Sequence, residues 1–444
     1  MTTSSTRARA EAESEAAPRP QPVDGRPIRV LHVITRLIVG GAMENTLLTV
    51  LGQMRDPRYE VTLYAGIDDG PEGNLHAVAR DQGVHLVLTP HLIRPIQPLT
   101  DLRALIELTR FMRRGRYHVV HTHATKAGIL GRLAARLAGT PIVVHTLHSL
   151  VFHEYQSGLA NRTYVALKKL CAPLTDQFIS VSAATKRGAI AAGIGEPARH
   201  AVVFSGMDLE PFLTAAERLD RAAARRRFGL PADAPVVGKV ARLFPLKGHA
   251  EFLQAAAAVH AARPDAHFLL VGDGILKGDL VADVERMGLA AVVHFAGLLP
   301  PAEIPAALLA MDVVVHTSLR EGIARVLPQA LAVGRPVVTF ALDGAPEVVA
   351  DGQSGFIVVP LDTGALAGRV IELLADPARR AAMGAHGRAF VAAAFPVERM
   401  VAAIDALYEP HLLRRGFLRA AGSSAAGDPP RPVATSNRPF SAGR

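Results

Sequence analysis

Cysteine is almost absent from this 444-residue chain. Cys171 stands alone, which excludes a disulfide framework and a thiolate metal cluster and fits a reducing cytosol. It lies in the apolar stretch VALKKLCAPL and reads as a small buried residue. Tryptophan is missing and aromatics make up 5% of the chain, a poor supply for stacking on bases. Zinc-finger, RRM and helix-turn-helix patterns are also lacking. The formal charge of +9, from 49 Lys and Arg against 40 Asp and Glu, therefore fits an anionic membrane face, phosphate-bearing substrates or a basic surface with no assigned role better than nucleic acid. The 18 histidines are scattered without an H-E-x-x-H spacing, and no G-x-G-x-x-G fingerprint marks a dinucleotide site. No run approaches the roughly twenty apolar residues of a spanning helix, and residues 1–27 lack the apolar segment of a signal peptide. A cytoplasmic protein is expected, at most peripheral at the inner face of a membrane.

What is present is a repeated alternation. IRVLHVIT, EVTLYAG, VHLVL, HVVHTH, IVVHTLH, QFISVS and HAVVFSG read as buried strands separated by helical patterns, and PVVGKVARL, AHFLLVGDG, VVHFAG, DVVVHTS, PVVTF and GFIVVP restart the series. Such alternation predicts α/β architecture with parallel sheets and right-handed crossovers, and the length calls for more than one core. Two Rossmann-like doubly wound domains are expected, over 28–205 and 206–395, parted near Gly206 and Pro211. A last helix is expected over 396–415, and polar tails over 1–27 and 416–444 are read as disordered.

Charge and glycine gather where strands end. After the apolar MDVVVHTS, the triplet Arg320-Glu321-Gly322 breaks the strand; a carboxylate there points into the crevice where open α/β sheets bind ligands. The following helix carries Ile323, Ala324 and Arg325 at its start and Gln329 on a side away from Leu327 and Leu331, and Gly334 ends it. Arg242 ends another strand, and Lys247 precedes Gly248 at a helix start. Two cations thus converge on one loop, suited to a pyrophosphate. Gly40 and Gly41 open a helix whose free N–H groups would face an anion. Gly272, Gly297 and Leu298 lie at consecutive strand ends, and Gly344 and Ala345 at a further expected helix start, with Glu347 complementing the dipole of its first turn. His121 and His123 are read as facing opposite ways along a strand, one into the core and the other to the crevice. His148, His153 and Glu154 follow on a later loop.

On these residues the chain resembles the retaining glycosyltransferases of family 4, with their GT-B fold, over nearly all of Ile28 to Arg414. The stretch from Glu321 corresponds to the E-x7-E signature, with Gln329 in place of the second Glu, which in the family holds the nucleotide ribose. Arg242 and Lys247 match the R…K-G donor-phosphate motif. The resemblance implies a last helix that crosses back to brace the first domain. It implies transfer of a sugar from a UDP- or GDP-sugar to a glycan or lipid-linked acceptor, without a metal or other cofactor. Donor contacts would come from Gly40, Gly41, Gly272, Gly297, Leu298, Ile323, Ala324, Arg325, Gln329, Gly344 and Ala345. Glu321 would orient the sugar, Arg242 and Lys247 would assist departure of the diphosphate, His123 would meet the sugar, and His148, His153 and Glu154 the acceptor. A glutamine at 329 also leaves open a catalytically impaired nucleotide-sugar binder. Non-transferring GT-B enzymes, an epimerase or a phosphorylase, are a further alternative. The Arg-rich amphipathic stretch Leu102 to Arg116 leaves room for peripheral contact with an anionic membrane.

Overall fold

The computed structural model describes residues 19–67 and 73–420. Apart from a short first strand, β1 (Gln21–Pro22), the elements between residues 28 and 358 build two parallel sheets. The first holds β2 (Ile28–Ile34), β3 (Tyr59–Gly66), β4 (His85–Thr89), β5 (Val119–His123), β6 (Ile142–Leu147), β7 (Gln177–Ser180) and β8 (His200–Val202), in the order β4-β3-β2-β5-β6-β7-β8. The second holds β9 (Val236–Val240), β10 (His267–Val271), β11 (Val293–Gly297), β12 (Val313–His316), β13 (Val337–Phe340) and β14 (Gly355–Val358), in the order β11-β10-β9-β12-β13-β14. Helices cover both faces, so strands such as Val313–His316 and Val337–Phe340 are buried at every position, which is why they read as unbroken β-branched runs. Two hydrophobic clusters flank the second sheet, around Leu308, Leu327 and Leu331 on one side and Phe252, Phe268 and Leu366 on the other.

Strand order determines where ligands can enter. Each sheet reverses direction once, between β2 and β5 in the first and between β9 and β12 in the second. Loops leaving neighbouring strands on either side of such a reversal diverge to opposite faces and open a crevice at the carboxyl ends. Gly40 and Gly41 follow β2 and His123 ends β5, while Arg242 follows β9 and Ser318 to Gly322 follow β12.

The long last helix, Val397–Arg414, lies against the helix Gly41–Met54 of the first sheet. Asn45 Nδ2 donates to Met400 Sδ at 3.0 Å and Gln53 Nε2 to Asp405 Oδ1 at 2.8 Å. Gly52 has no room for a side chain, since a Cβ there would come within 2.4 Å of Val401 Cγ2.

The expected tails differ from the structure at their inner ends. Residues 19–26 and 409–420 belong to a small unit of their own, in which β1 pairs antiparallel with β15 (Leu418–Arg419) and Val23 N–H donates to the Phe417 carbonyl at 3.1 Å. Polar composition suggested disorder here, but pairing partners at opposite ends of a chain leave no local pattern. The outer parts of both expected tails, 1–18 and 421–444, lie outside the described residues. Among the described residues no helix is long and apolar enough to cross a membrane.

Candidate active site

A cleft of about 1640 Å³ runs between the carboxyl ends of the two sheets. Its second-sheet wall begins at β9, after which Arg242 lines the cleft with its guanidinium 5.3 Å from the Phe244 ring centre. The backbone turns back through Gly248 at φ +65° before the helix His249–Ala262. Only glycine fits there, because a Cβ would sit 1.8 Å from the Thr317 carbonyl oxygen. That close approach brings Lys247 beside the β12 loop, where its ammonium pairs with the Glu321 carboxylate. Ser318 Oγ donates to the same Glu321 oxygen at 2.9 Å, and the Glu321 backbone N–H donates to Asp343 Oδ2 at 2.6 Å. Burial alone would raise the Glu321 carboxyl; the charge of Lys247, the neighbouring His316 and the hydrogen bonds from Lys247 and Ser318 outweigh it, and the net shift is downward. The acid is held ionised and aimed.

The first-sheet wall is reached by contacts that cross the cleft. Arg325 pairs with Glu44, in the first turn of the helix that begins at Gly41, at 2.8 Å. Arg320 donates to Asp343 at 3.0 Å and to the Leu150 carbonyl at 2.9 Å. The Gly322 backbone lies against His148, since a Cβ on Gly322 would meet the His148 carbonyl oxygen at 1.9 Å. Glu347 does not serve its own turn. Residues Ala345–Glu347 form a single 3-10 turn rather than the expected helix, and the Glu347 carboxylate accepts from the backbone N–H groups of Ala183 and Ala184 at 2.6 and 2.8 Å, capping the helix Ala183–Ala191 of the first sheet. Pro346 allows one tight turn, and the free N–H groups across the cleft draw the carboxylate.

Most of the expected donor residues meet in this cleft: Gly40, Gly41, Arg242, Lys247, Gly272, Leu298, Glu321, Ile323, Ala324, Arg325 and Gln329 line it, as does His148. Gly297, Gly344 and Ala345 do not, although the Gly344 N–H donates to the Gly322 carbonyl at 3.0 Å and so shapes the Glu321 loop. His153 and Glu154 also lie outside the lining, with Glu154 exposed.

His123 is the larger correction. It is 1% exposed and absent from the lining, with Nε2 3.0 Å from His32 Nδ1 and Nδ1 3.1 Å from His148 Nε2. Nor do His121 and His123 face opposite ways: their ring centres are 4.3 Å apart. Side chains alternate with period two along a strand, so positions i and i+2 share a face. His121 bonds Tyr408 Oη at 2.6 Å and Thr146 Oγ1 at 2.7 Å. Burial, then the neighbouring imidazoles, holds His121 and His123 well below the ordinary histidine value, and burial lowers His32 and His148 to about 4. His32, missed in the sequence because it sits inside an ordinary buried strand, completes the cluster with His121 and His123, whose donor atoms lie within 4.8 Å of one another. Those are the described residues that could hold a metal ion, yet every ring nitrogen of the three already has a hydrogen-bond partner.

Comparison with known proteins gives this geometry a family. Residues 220–390 match the glycosyl transferases group 1 family and residues 41–206 the glycosyl transferase 4-like domain. The chain is 33% identical over 281 residues to the UDP-Gal:alpha-D-GlcNAc-diphosphoundecaprenol alpha-1,3-galactosyltransferase of Escherichia coli, spanning 63% of this chain and 72% of that relative. It is 32% identical over 305 residues to a D-inositol 3-phosphate glycosyltransferase of Thermobispora bispora, spanning 66% and 70%. The solved structure of Anabaena Alr3699/HepE in complex with UDP and glucose superposes with a TM-score of 0.73 at 25% identity, covering 86% of this chain and 99% of that one. WaaG, a glycosyltransferase involved in lipopolysaccharide biosynthesis, shares the fold with a TM-score of 0.65 at 17% identity, covering 85% and 99%. Two facing parallel-sheet domains, the cleft between them and these likenesses agree: the chain belongs to the group 1 glycosyl transferases and has the GT-B fold.

Proposed function

We propose that the chain is a retaining glycosyltransferase that moves a sugar from a nucleoside diphosphosugar to a hydroxyl of a glycan or lipid-linked acceptor in cell-surface polysaccharide or glycolipid synthesis. The observation that carries this reading is the Lys247–Glu321 pair with Arg242 beside it, at the switch point of the second sheet and facing the Gly41 helix start across the cleft. A departing diphosphate develops negative charge, and Arg242, Lys247 and the helix N-terminus are placed to stabilise it. These cations make a metal ion unnecessary for neutralising the leaving group. Glu321, ionised and fixed by Ser318 and its own backbone, accepts hydrogen bonds from donor-sugar hydroxyls. Gln329 takes the place of the family's second glutamate and offers the ribose one carbonyl acceptor and one amide donor. UDP-sugars are the first donors to try, because UDP is bound in the Anabaena structure and UDP-Gal is named for the Escherichia coli relative.

The test is calorimetric titration of UDP, GDP and ADP with and without Mg²⁺, on wild type and Lys247→Ala, followed by NMR of the product's anomeric configuration. Metal-independent binding of one nucleotide, lost in the variant, with the donor's configuration kept, supports the reading. A product of inverted configuration, or a strict need for Mg²⁺, overturns the retaining or metal-free part.

Peripheral attachment to an anionic membrane face is part of the same proposal. The helix Pro98–Gly115 leaves Leu99, Leu102 and Ile106 exposed at 77, 53 and 42%, with Arg103, Arg110, Arg113 and Arg114 exposed on the same helix. Apolar side chains one or two turns apart, mixed with arginines, suit insertion at a headgroup boundary. Sedimentation with anionic but not zwitterionic vesicles, abolished by Leu102→Glu, is expected; equal pelleting with both sinks the idea.

A further inference from the structure

A chain of buried hydrogen bonds leads from the last helix to the cleft. Asp405, on the helix Val397–Arg414, accepts from Gln53 Nε2 at 2.8 Å. Gln53 Oε1 is 2.8 Å from His32 Nε2, His32 Nδ1 is 3.0 Å from His123 Nε2, and His123 Nδ1 is 3.1 Å from His148 Nε2. His148 then lines the cleft, and no hydrogen bond from a described residue reaches its Nδ1. Asp405, Gln53, His32 and His123 are all buried, at 5, 0, 0 and 1% exposure.

The direction of this chain follows from one end. Asp405 Oδ1 accepts from the Gln53 amide nitrogen, which turns the Gln53 oxygen toward His32. That oxygen only accepts, so the proton on His32 sits on Nε2. A neutral imidazole has a single N–H, which leaves His32 Nδ1 as an acceptor, makes His123 Nε2 a donor and its Nδ1 an acceptor, and places the proton of His148 on Nε2. Burial keeps these rings neutral. We propose that Asp405 acts through Gln53, His32 and His123 to hold His148 as the Nε2–H tautomer, so that its Nδ1 meets the cleft as an obligatory acceptor for a substrate hydroxyl. His148 is the contact; the other four are positioning residues. This deepens the transferase reading, because it selects hydroxyl donors over carbonyl or phosphate oxygens at that point of the cleft. It also gives the last helix a role in the chemistry of the first domain beyond bracing.

The experiment is ring-nitrogen NMR of the unliganded full-length protein carrying ¹⁵N-histidine, with the His148 signals assigned by their loss in His148→Asn. The expected wild-type spectrum shows His148 wholly protonated on Nε2. In Asp405→Leu and Gln53→Met it becomes a mixture of both tautomers, and kcat/KM falls about tenfold with one acceptor hydrogen bond compromised. A proton on Nδ1 of His148 in the wild type overturns the proposal by itself, even where the variants fail to fold. An unchanged single tautomer in the folded variants removes the control from Asp405. Signals of His32, His121 and His123 that shift together on adding Zn²⁺ would assign the cluster to a metal instead, and also overturn it. No nucleotide is present in the spectrum, so its outcome stays separate from failure of the donor titration.

Discussion

The two walls of the cleft solve opposite electrostatic problems. On the second sheet the strand ends present ions, with Arg242, Lys247 and Glu321 converging at one loop pair. On the first sheet the wall is backed by a hydrogen-bonded series of neutral imidazoles, His148 after β6, His123 at the end of β5 and His32 inside β2, each pushed down by burial. A charge is useful where charge develops or leaves, and costs too much to bury where none does. The contrast suits the proposed transfer, in which the diphosphate would lie on the second wall and hydroxyl groups on the first.

Breaking the ionic wall is expected to have the largest effect. Lys247→Ala removes a cation and strands Glu321 without its partner, and transfer should fall by about 10²- to 10³-fold, the scale of losing one preorganised charge-stabilising donor. Steady-state kinetics check it, and a loss under tenfold would move the leaving-group role elsewhere. Acid breaks the neutral wall next. His32 and His148 drop from 6.5 to about 4 in the folded chain, so between those values the unfolded chain binds more protons. Stability conferred by keeping them neutral is present above about pH 6.5 and is lost as pH falls toward 4, by up to about 1.4 kcal/mol per pH unit for each ring. Glu321, with its value lowered, loses its contribution only at more acid pH. Denaturant midpoints measured from neutral to acid pH should therefore fall first through the histidine window, and His32→Asn should flatten that part of the curve.

Smaller effects sharpen the comparison where the walls touch. Glu347→Ala uncovers two backbone N–H groups of the helix Ala183–Ala191 and should cost about 1 to 2 kcal/mol, with faster amide exchange confined to that helix start. Protection left unchanged would mean that Ser182, which also caps the helix, suffices alone. Gln329→Glu adds a stronger acceptor to the ionic wall and should tighten nucleotide binding a few-fold by calorimetry. Weaker binding would show that the glutamine's amide donor matters more than charge.

Much of the second wall was legible in the chain because its parts are local. Arg242 and Lys247 are five residues apart around one loop, and Glu321 interrupts an apolar strand, so spacing alone put them at strand ends in a parallel sheet. The first wall is not legible in this way. His123 occupies a strand end, where the sequence alone places it at the crevice, but its two nitrogens are claimed by histidines from β2 and from the loop after β6. The period of a strand puts His121 and His123 on one face, and nothing near Glu347 in the sequence points to its partners, Ala183 and Ala184, which belong to another domain.

Alternating apolar runs and helical patterns by themselves determined two parallel α/β sheets, and the loops after β9 and β12 determined a clustered ionic site, since burial and backbone geometry act over a few residues. Tertiary structure alone decided which histidine reaches the cleft and what faces Glu347. It also decided that Asp405, Gln53, His32 and His123 connect into one directional chain, because hydrogen bonds between distant strands and helices depend on distances that no local pattern records.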